Sequence, residues 1–134
     1  MRKYIPLLVG TFVSFFYCTG AIMAGEIIQL PKGWKIQPAL NSSSVPDQNV
    51  WKNAAAPSKN VNSFWYQQSV SVPENWAARR IFLDFDRIEG DAIVFVNDSK
   101  AGELLRPGGE IEISGQAKAG AENTIRVFIT RNYT

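Results

Sequence analysis

Asp84 and Asp86 stand two residues apart in the run Arg80 to Asn97, and an extended backbone would put both carboxyls on one face, about 6.6 Å apart. That separation falls in the loose window in which an inverting glycosidase pair seats its attacking water. Catalysis would also need a cleft between the two groups and one raised pKa. Same-face acids on a sheet are more commonly a solvated surface, so no catalytic residue is assigned. Glu89 and Asp91 extend the acids into a loop whose oxygens are of the type Ca²⁺ takes, although the spacing matches no defined calcium loop. No other cofactor is expected. The chain has no histidine, which excludes histidine-based triads and histidine-ligated metal sites within it.

A second chemistry open to these residues is sugar binding. It needs a ring to stack on the apolar sugar face, with polar groups beside it. Trp51, Trp65, Tyr66 and Trp76 are the rings in reach. Trp65 is opposite in phase to Tyr66, Val70 and Val72, so it points away from the core those residues imply; packing against an N-terminal loop or a second domain is the competing use of the same ring. Trp76 follows in the Glu74-Asn75-Trp76 turn. Arg106, in an Arg-Pro-Gly-Gly turn, is placed to reach a neighbouring domain or simply to be solvated. Trp65, Trp76 and Arg106 are the ligand-binding candidates.

These side chains must be positioned by strands. Ile81, Leu83 and Phe85 share one face of an extended segment, and Ala92, Val94 and Val96 repeat the pattern after Glu89-Gly90-Asp91. Phe64 to Val72 and Asn123 to Thr130 alternate in the same way, the second burying Ile125, Val127 and Ile129. Asn97-Asp98 suits the centre of a tight hairpin, because both types tolerate left-handed backbone. Pro38 to Asn49 is a polar surface loop, and Glu26 to Leu30 is a short strand candidate. Many short strands separated by turns predict an all-β chain, a β-sandwich of the jelly-roll type.

The first residues read differently. Arg2 and Lys3 precede an apolar run from Tyr4 to about Met23, the layout of a secretory signal with a small residue near Ala24 for cleavage. An uncleaved membrane anchor is the rival, since the run approaches the ~20 residues that span a bilayer. Ser14, Thr11 and Gly10 dilute it, which favours the signal. Residues 1–24 are therefore read as signal peptide, 25–63 as an N-terminal strand and loop segment, and 64–134 as the sandwich core. The protein is expected to be secreted or periplasmic, free of the membrane after cleavage. Losing Arg2 and Lys3 takes the 14 basic residues to 12, equal to the 12 acidic ones. A neutral domain of this kind is a poor nucleic-acid binder. Cys18 leaves with the signal, so the remaining fold must hold by its apolar core. The stop at Thr134, just past the last strand, reads as an N-terminal piece of something longer.

Three local patterns, in order, resemble a known family. Trp65-Tyr66 with Val72-Pro73 and Trp76 is similar to its opening. Arg80 to Phe85 through Val94-Phe95-Val96-Asn97, with Gly102, is similar to its centre. Ile111-Glu112-Ile113 followed by Gly120 to Val127 is similar to its end. The family is the galactose-binding-like, sugar-binding N-terminal domain of glycoside hydrolase family 2, as in β-galactosidase and β-glucuronidase relatives. Asp98 departs from it, standing where the family usually has Gly, as does Gly115-Gln116 at a turn. The resemblance implies a non-catalytic sandwich that binds carbohydrate or buttresses a downstream catalytic barrel, which carries the family's two catalytic glutamates. Other readings of the residues are a free-standing carbohydrate-binding module and a structural or adhesive sandwich without sugar affinity.

Overall fold

A computed structural model describes residues 2–7, as backbone alone, together with 33–53 and 62–131. Its strands are β1 (Arg2–Leu7), β2 (Lys35–Pro38), β3 (Lys52–Asn53), β4 (Ser63–Val72), β5 (Arg80–Phe85), β6 (Asp91–Val96), β7 (Ser99–Leu104), β8 (Gly109–Glu112) and β9 (Ala121–Thr130), with a 3₁₀ turn at Glu74–Trp76. They form a six-stranded sheet in the order β3-β2-β4-β9-β6-β7 and a three-stranded sheet in the order β1-β5-β8. The spine is the antiparallel pair β4–β9, in unbroken register from Ser63 opposite Thr130 to Val72 opposite Ala121.

Strict alternation explains the core. Phe64, Tyr66, Val70 and Val72 of β4 point inward with Ile125, Val127 and Ile129 of β9 and Ala92, Val94 and Val96 of β6. Ile81, Leu83 and Phe85 of the smaller sheet face them, with Ile111 and Ile113 alongside. Leu83, Val94 and Val127 have no exposed surface. Burying each such side chain contributes roughly 1.5–3 kcal/mol relative to leaving it in water. Trp76 and Ile88 plug the space between the sheets at 0% and 1% exposure. The all-β sandwich expected from alternation is the fold observed.

The tight β6–β7 hairpin also forms as expected: Asn97 and Asp98 have φ of 50° and 68°, and Val96 pairs with Ser99 across them. Asn97 closes the end of the sandwich as well. Its amide donates to Gln116 O at 3.0 Å and to Asn123 Oδ1 at 2.7 Å, and its own oxygen accepts the Thr124 N–H at 3.0 Å. Asn123 is 1% exposed and fully engaged, since its oxygen also accepts the Lys118 N–H and its amide donates to the carbonyls of Lys118 and Ala121. The loop from 114 to 120 is thereby sewn to β9.

At the other extreme of the chain the signal-peptide reading receives no support. Arg2–Leu7 form a strand parallel to β5, from Arg2 opposite Arg80 to Leu7 opposite Phe85. A short apolar segment able to lie extended serves equally as leader or edge strand, and composition does not separate the two. Pro6 is tolerated there because β1 is an edge strand. Glu26 to Leu30, expected to form a strand, lie outside the described residues.

Candidate functional site

Two turns and a strand end meet at one end of the sandwich: 86–90 between β5 and β6, 105–108 between β7 and β8, and residue 131 after β9. Close backbone approaches hold them together. A Cβ on Gly90 would lie 2.2 Å from the Thr130 carbonyl oxygen, and one on Gly108 would lie 2.2 Å from that of Phe85. Glycine is the residue type that leaves room for both contacts, and Gly108 also has a φ of +143°, a region L side chains rarely adopt. The Ile88 N–H donates to Pro107 O at 2.7 Å, the Arg106 N–H to Asp91 Oδ1 at 3.3 Å, and the Arg131 N–H to Asn62 O at 2.7 Å.

Between these turns lies an open cleft of about 660 Å³, lined by Asp86, Arg87, Ile88, Glu89, Arg106, Pro107 and Arg131. That volume is in the usual range for small-molecule sites, roughly 300–1,000 Å³. Its floor is fixed. Arg131 lies over the Phe64 ring, 5.1 Å from the centroid, and donates to Glu89 Oε2 at 2.8 Å. The Arg131 side chain is 9% exposed, whereas Glu89 stays open at 56%. Below them, burial pushes the Tyr66 phenol up to about 12, with Arg131 lowering and Glu89 raising it. Arg106 is exposed and, among the described residues, its guanidinium has no partner.

The candidate rings are placed elsewhere. Trp65 does face away from the core, but it is only 4% exposed. It packs against Phe95 and Phe128, at centroid distances of 5.5 and 5.2 Å, and its Nε1–H points to Ser44 Oγ at 3.4 Å. Residues 39–50 fold back toward this face because Gln37 clamps both backbone polar groups of Asp47, donating to its carbonyl at 2.9 Å and accepting its N–H at 3.0 Å. Packing against the N-terminal loop is therefore the use made of Trp65. Trp76, with no exposed surface, is a core residue. Neither ring offers a face to a ligand; of the three candidates, Arg106 alone is accessible. The Trp51 Nε1–H is buried without a hydrogen-bond partner among the described residues.

The acids also separate. Asp84 sits opposite Glu110 in the β5–β8 pair, and burial, then Glu110, then Asp86 push its carboxyl above the usual carboxylate range. Asp86 and Glu89 belong to the cleft, while Asp91 accepts the Arg106 N–H. Among the described residues no three acids are grouped to hold a metal ion. Sequence reasoning missed Arg87 and Arg131 as cleft residues. The available signal was the register that puts Thr130 opposite Asp91, which brings the residue after β9 beside the loop before β6.

No protein-family model matches the chain, and no curated protein matches it. Solved structures do. A glycosyl hydrolase family 2 member from Bacteroides cellulosilyticus superposes over 77% of this chain and 17% of its own, with TM-score 0.62 and 18% identity. The β-D-glucuronidase of Dictyoglomus thermophilum matches 76% of this chain and 19% of its own, at TM-score 0.58 and 22% identity. A β-glucuronidase from Ruminococcus gnavus matches 76% and 20%, at TM-score 0.63 and 20% identity. At these identities the likeness establishes a shared fold. The chain spans about a fifth of the length of each of these relatives.

Proposed function

We propose that this chain is a non-catalytic carbohydrate-binding and scaffold module of an exported glycoside hydrolase of the family 2 type. The observation that supports the reading most is the sandwich itself, which recurs as a fraction of much longer glycosidase chains, a family 2 member among them, while covering three quarters of this one. The rim cleft is the place for carbohydrate. Arg, Asp and Glu side chains are planar groups suited to pairs of sugar hydroxyls, and the backbone contacts at Gly90, Gly108 and Ile88 fix their positions before any ligand arrives. The scaffold part has its own support. Leu40 and Val45, on the loop that covers Trp65, are 92% and 85% exposed, as suits a surface that meets a downstream catalytic domain.

The reading is tested by titrating the full chain with soluble mono- and oligosaccharides under ¹⁵N–¹H NMR and by assaying it on chromogenic glycosides. Expected are shifts confined to residues 86–91, 105–108 and 131, and no turnover. Turnover by the purified chain, or shifts located on another face, would overturn it. Export is tested by N-terminal sequencing of the protein recovered outside the cytoplasm. A start near Gly25 supports a cleaved leader, and a start at Met1 or Arg2 overturns it.

A further inference from the structure

We infer that the side of β5 turned away from β8 is a strand-acceptor site: it takes one extended peptide, parallel to β5, with apolar residues opposite Leu83 and Phe85. Residues 2–7 occupy it in the full chain. β1 pairs with β5 without a break from Arg2 opposite Arg80 to Leu7 opposite Phe85, and among the described residues β5 is its only neighbour in the sheet. Ile5 and Leu7 hold the register positions of Leu83 and Phe85, the every-second-residue pattern by which an added strand is recognised. Under the export reading above, cleavage near Ala24 removes this strand and opens the site. The use of the site in the cell rests on that reading; its capacity to take a peptide does not.

β5 is built as an inner strand. Ile81, Phe82, Leu83 and Phe85 are each no more than 5% exposed, so both of its faces are covered, as they are for most strands in parallel pairs. Phe82, on the outward face, lies under the Arg80 guanidinium at 4.9 Å, and Arg80 pairs with Glu112 at 2.9 Å. No register break interrupts the pairing of β5 on either side, whereas edge strands commonly carry a bulge that discourages a further strand. Without β1, main-chain groups along that side would lose their partners.

The shape of the slot decides its occupant. Gly102 of β7 lies against β8, where a Cβ would come 3.5 Å from Ile111 Cδ1, so the two sheets meet along that edge. Three strands then face six, and the surplus of the larger sheet extends past β5 on the side of β1. A second copy brought edge to edge would drive its own larger sheet into that overhang. A single extended peptide, as β1 is, fits beneath it.

The test compares the full chain with its Ile5→Pro variant, in which two consecutive prolines leave positions 5 and 6 without a main-chain donor. Each is titrated under ¹⁵N–¹H NMR with a peptide of the sequence of residues 2–7, Arg-Lys-Tyr-Ile-Pro-Leu, and with the same peptide carrying Ile5→Ser and Leu7→Ser. Circular dichroism and slow amide exchange in β4 and β9 check that the variant is folded. Ile5→Pro should bind the first peptide about tenfold more tightly than the full chain does, because the tethered β1 competes at an effective concentration on the order of millimolar. The serine peptide should bind about tenfold more weakly than the first, having lost two apolar side chains. Bound peptide should slow amide exchange between Ile81 and Phe85. In the unaltered chain, peptide at several times that millimolar level should still displace β1 and shift the resonances of Ile81 to Phe85; no shift there overturns the inference whether or not the variant folds. Equal binding of the two peptides overturns it, as does β5 protection in Ile5→Pro without any peptide, since another part of the chain would then cover the edge. Dimerisation of Ile5→Pro with no peptide uptake overturns it in favour of a second copy. An exported protein that starts at Met1 would remove the opening step and the export reading, and would leave these peptide results as the measure of the site.

Discussion

Arg131 lies 5.1 Å from the centroid of the Phe64 ring while the same guanidinium donates to Glu89. One side chain thus joins the first residues of β4, the end of β9 and the β5–β6 turn. The stem and ring contribute packing and a cation–π attraction, and the ion pair adds little because Glu89 faces water. Arg131→Ala should therefore destabilise the fold by about 1–2 kcal/mol, and Glu89→Ala by less than about 1 kcal/mol, as read from denaturant midpoints at constant slope. Equal losses for the two variants would mean that the ion pair, and not the stacking, holds the floor of the cleft.

Gly90 meets the Thr130 carbonyl where a Cβ would come within 2.2 Å. Backbone cannot swing aside as a side-chain tip can, so Gly90→Ala must push the 86–90 turn away from β9. A cost of about 1–3 kcal/mol is expected, in the range of other overpacked sites. The same displacement should open the cleft, so saccharide binding should fall even at temperatures where the variant is folded. A fully stable Gly90→Ala with unchanged binding would show that the turn is not held by this contact.

Asp84 illustrates a charge effect with a definite sign. Burial and the facing Glu110 raise its pKa above the unfolded value, so the folded state prefers the neutral acid. That preference is fully present below the unfolded pKa and is lost as pH rises through the folded one. At neutral pH the ionised Asp84 therefore weakens the β5–β8 pair. Asp84→Asn should raise the melting temperature at pH 7, and the gain should shrink to nothing near pH 3. A gain that persists undiminished in acid would assign the effect to packing and not to charge.

Alternation made the core legible: Leu83, Val94 and Val127 were placed inside by period two alone, and the three have no exposed surface. The Asn97-Asp98 hairpin was legible for a local reason, since few residue types accept positive φ. Trp65 shows where such reasoning stops. Its phase correctly put it on the outer face, but phase does not say what lies over that face; the Gln37–Asp47 clamp that brings 39–50 toward it joins residues ten apart, one side chain to the backbone of the other. The cleft was illegible for the same reason. Asp86, Arg106 and Arg131 come from two turns and a strand end, and it takes the β5–β8 register, Phe85 opposite Gly109, and the β6–β9 register, Asp91 opposite Thr130, to bring them together.

Asn97 and Asn123 carry the last expectation. Each belongs to a separate stretch of the sequence, yet the Asn97 amide donates to Asn123 Oδ1 at 2.7 Å at the end of the sandwich opposite the cleft. Asn123 is 1% exposed and uses both its oxygen and its amide, so truncation leaves several buried backbone groups unpaired. Asn123→Ala should cost about 2–4 kcal/mol, more than a single average hydrogen bond, because each orphaned group keeps its desolvation penalty. Asn97→Ala also loses the residue that tolerates φ of 50° and should cost about 1–3 kcal/mol. The two losses should not add. Once Asn123 is gone, Asn97 has lost a partner already, and a double-mutant cycle should return a coupling of about 1 kcal/mol or more. Strict additivity in that cycle would mean the two side chains stabilise their loops separately. Saccharide binding should survive both single variants wherever they are folded, because neither residue lines the rim.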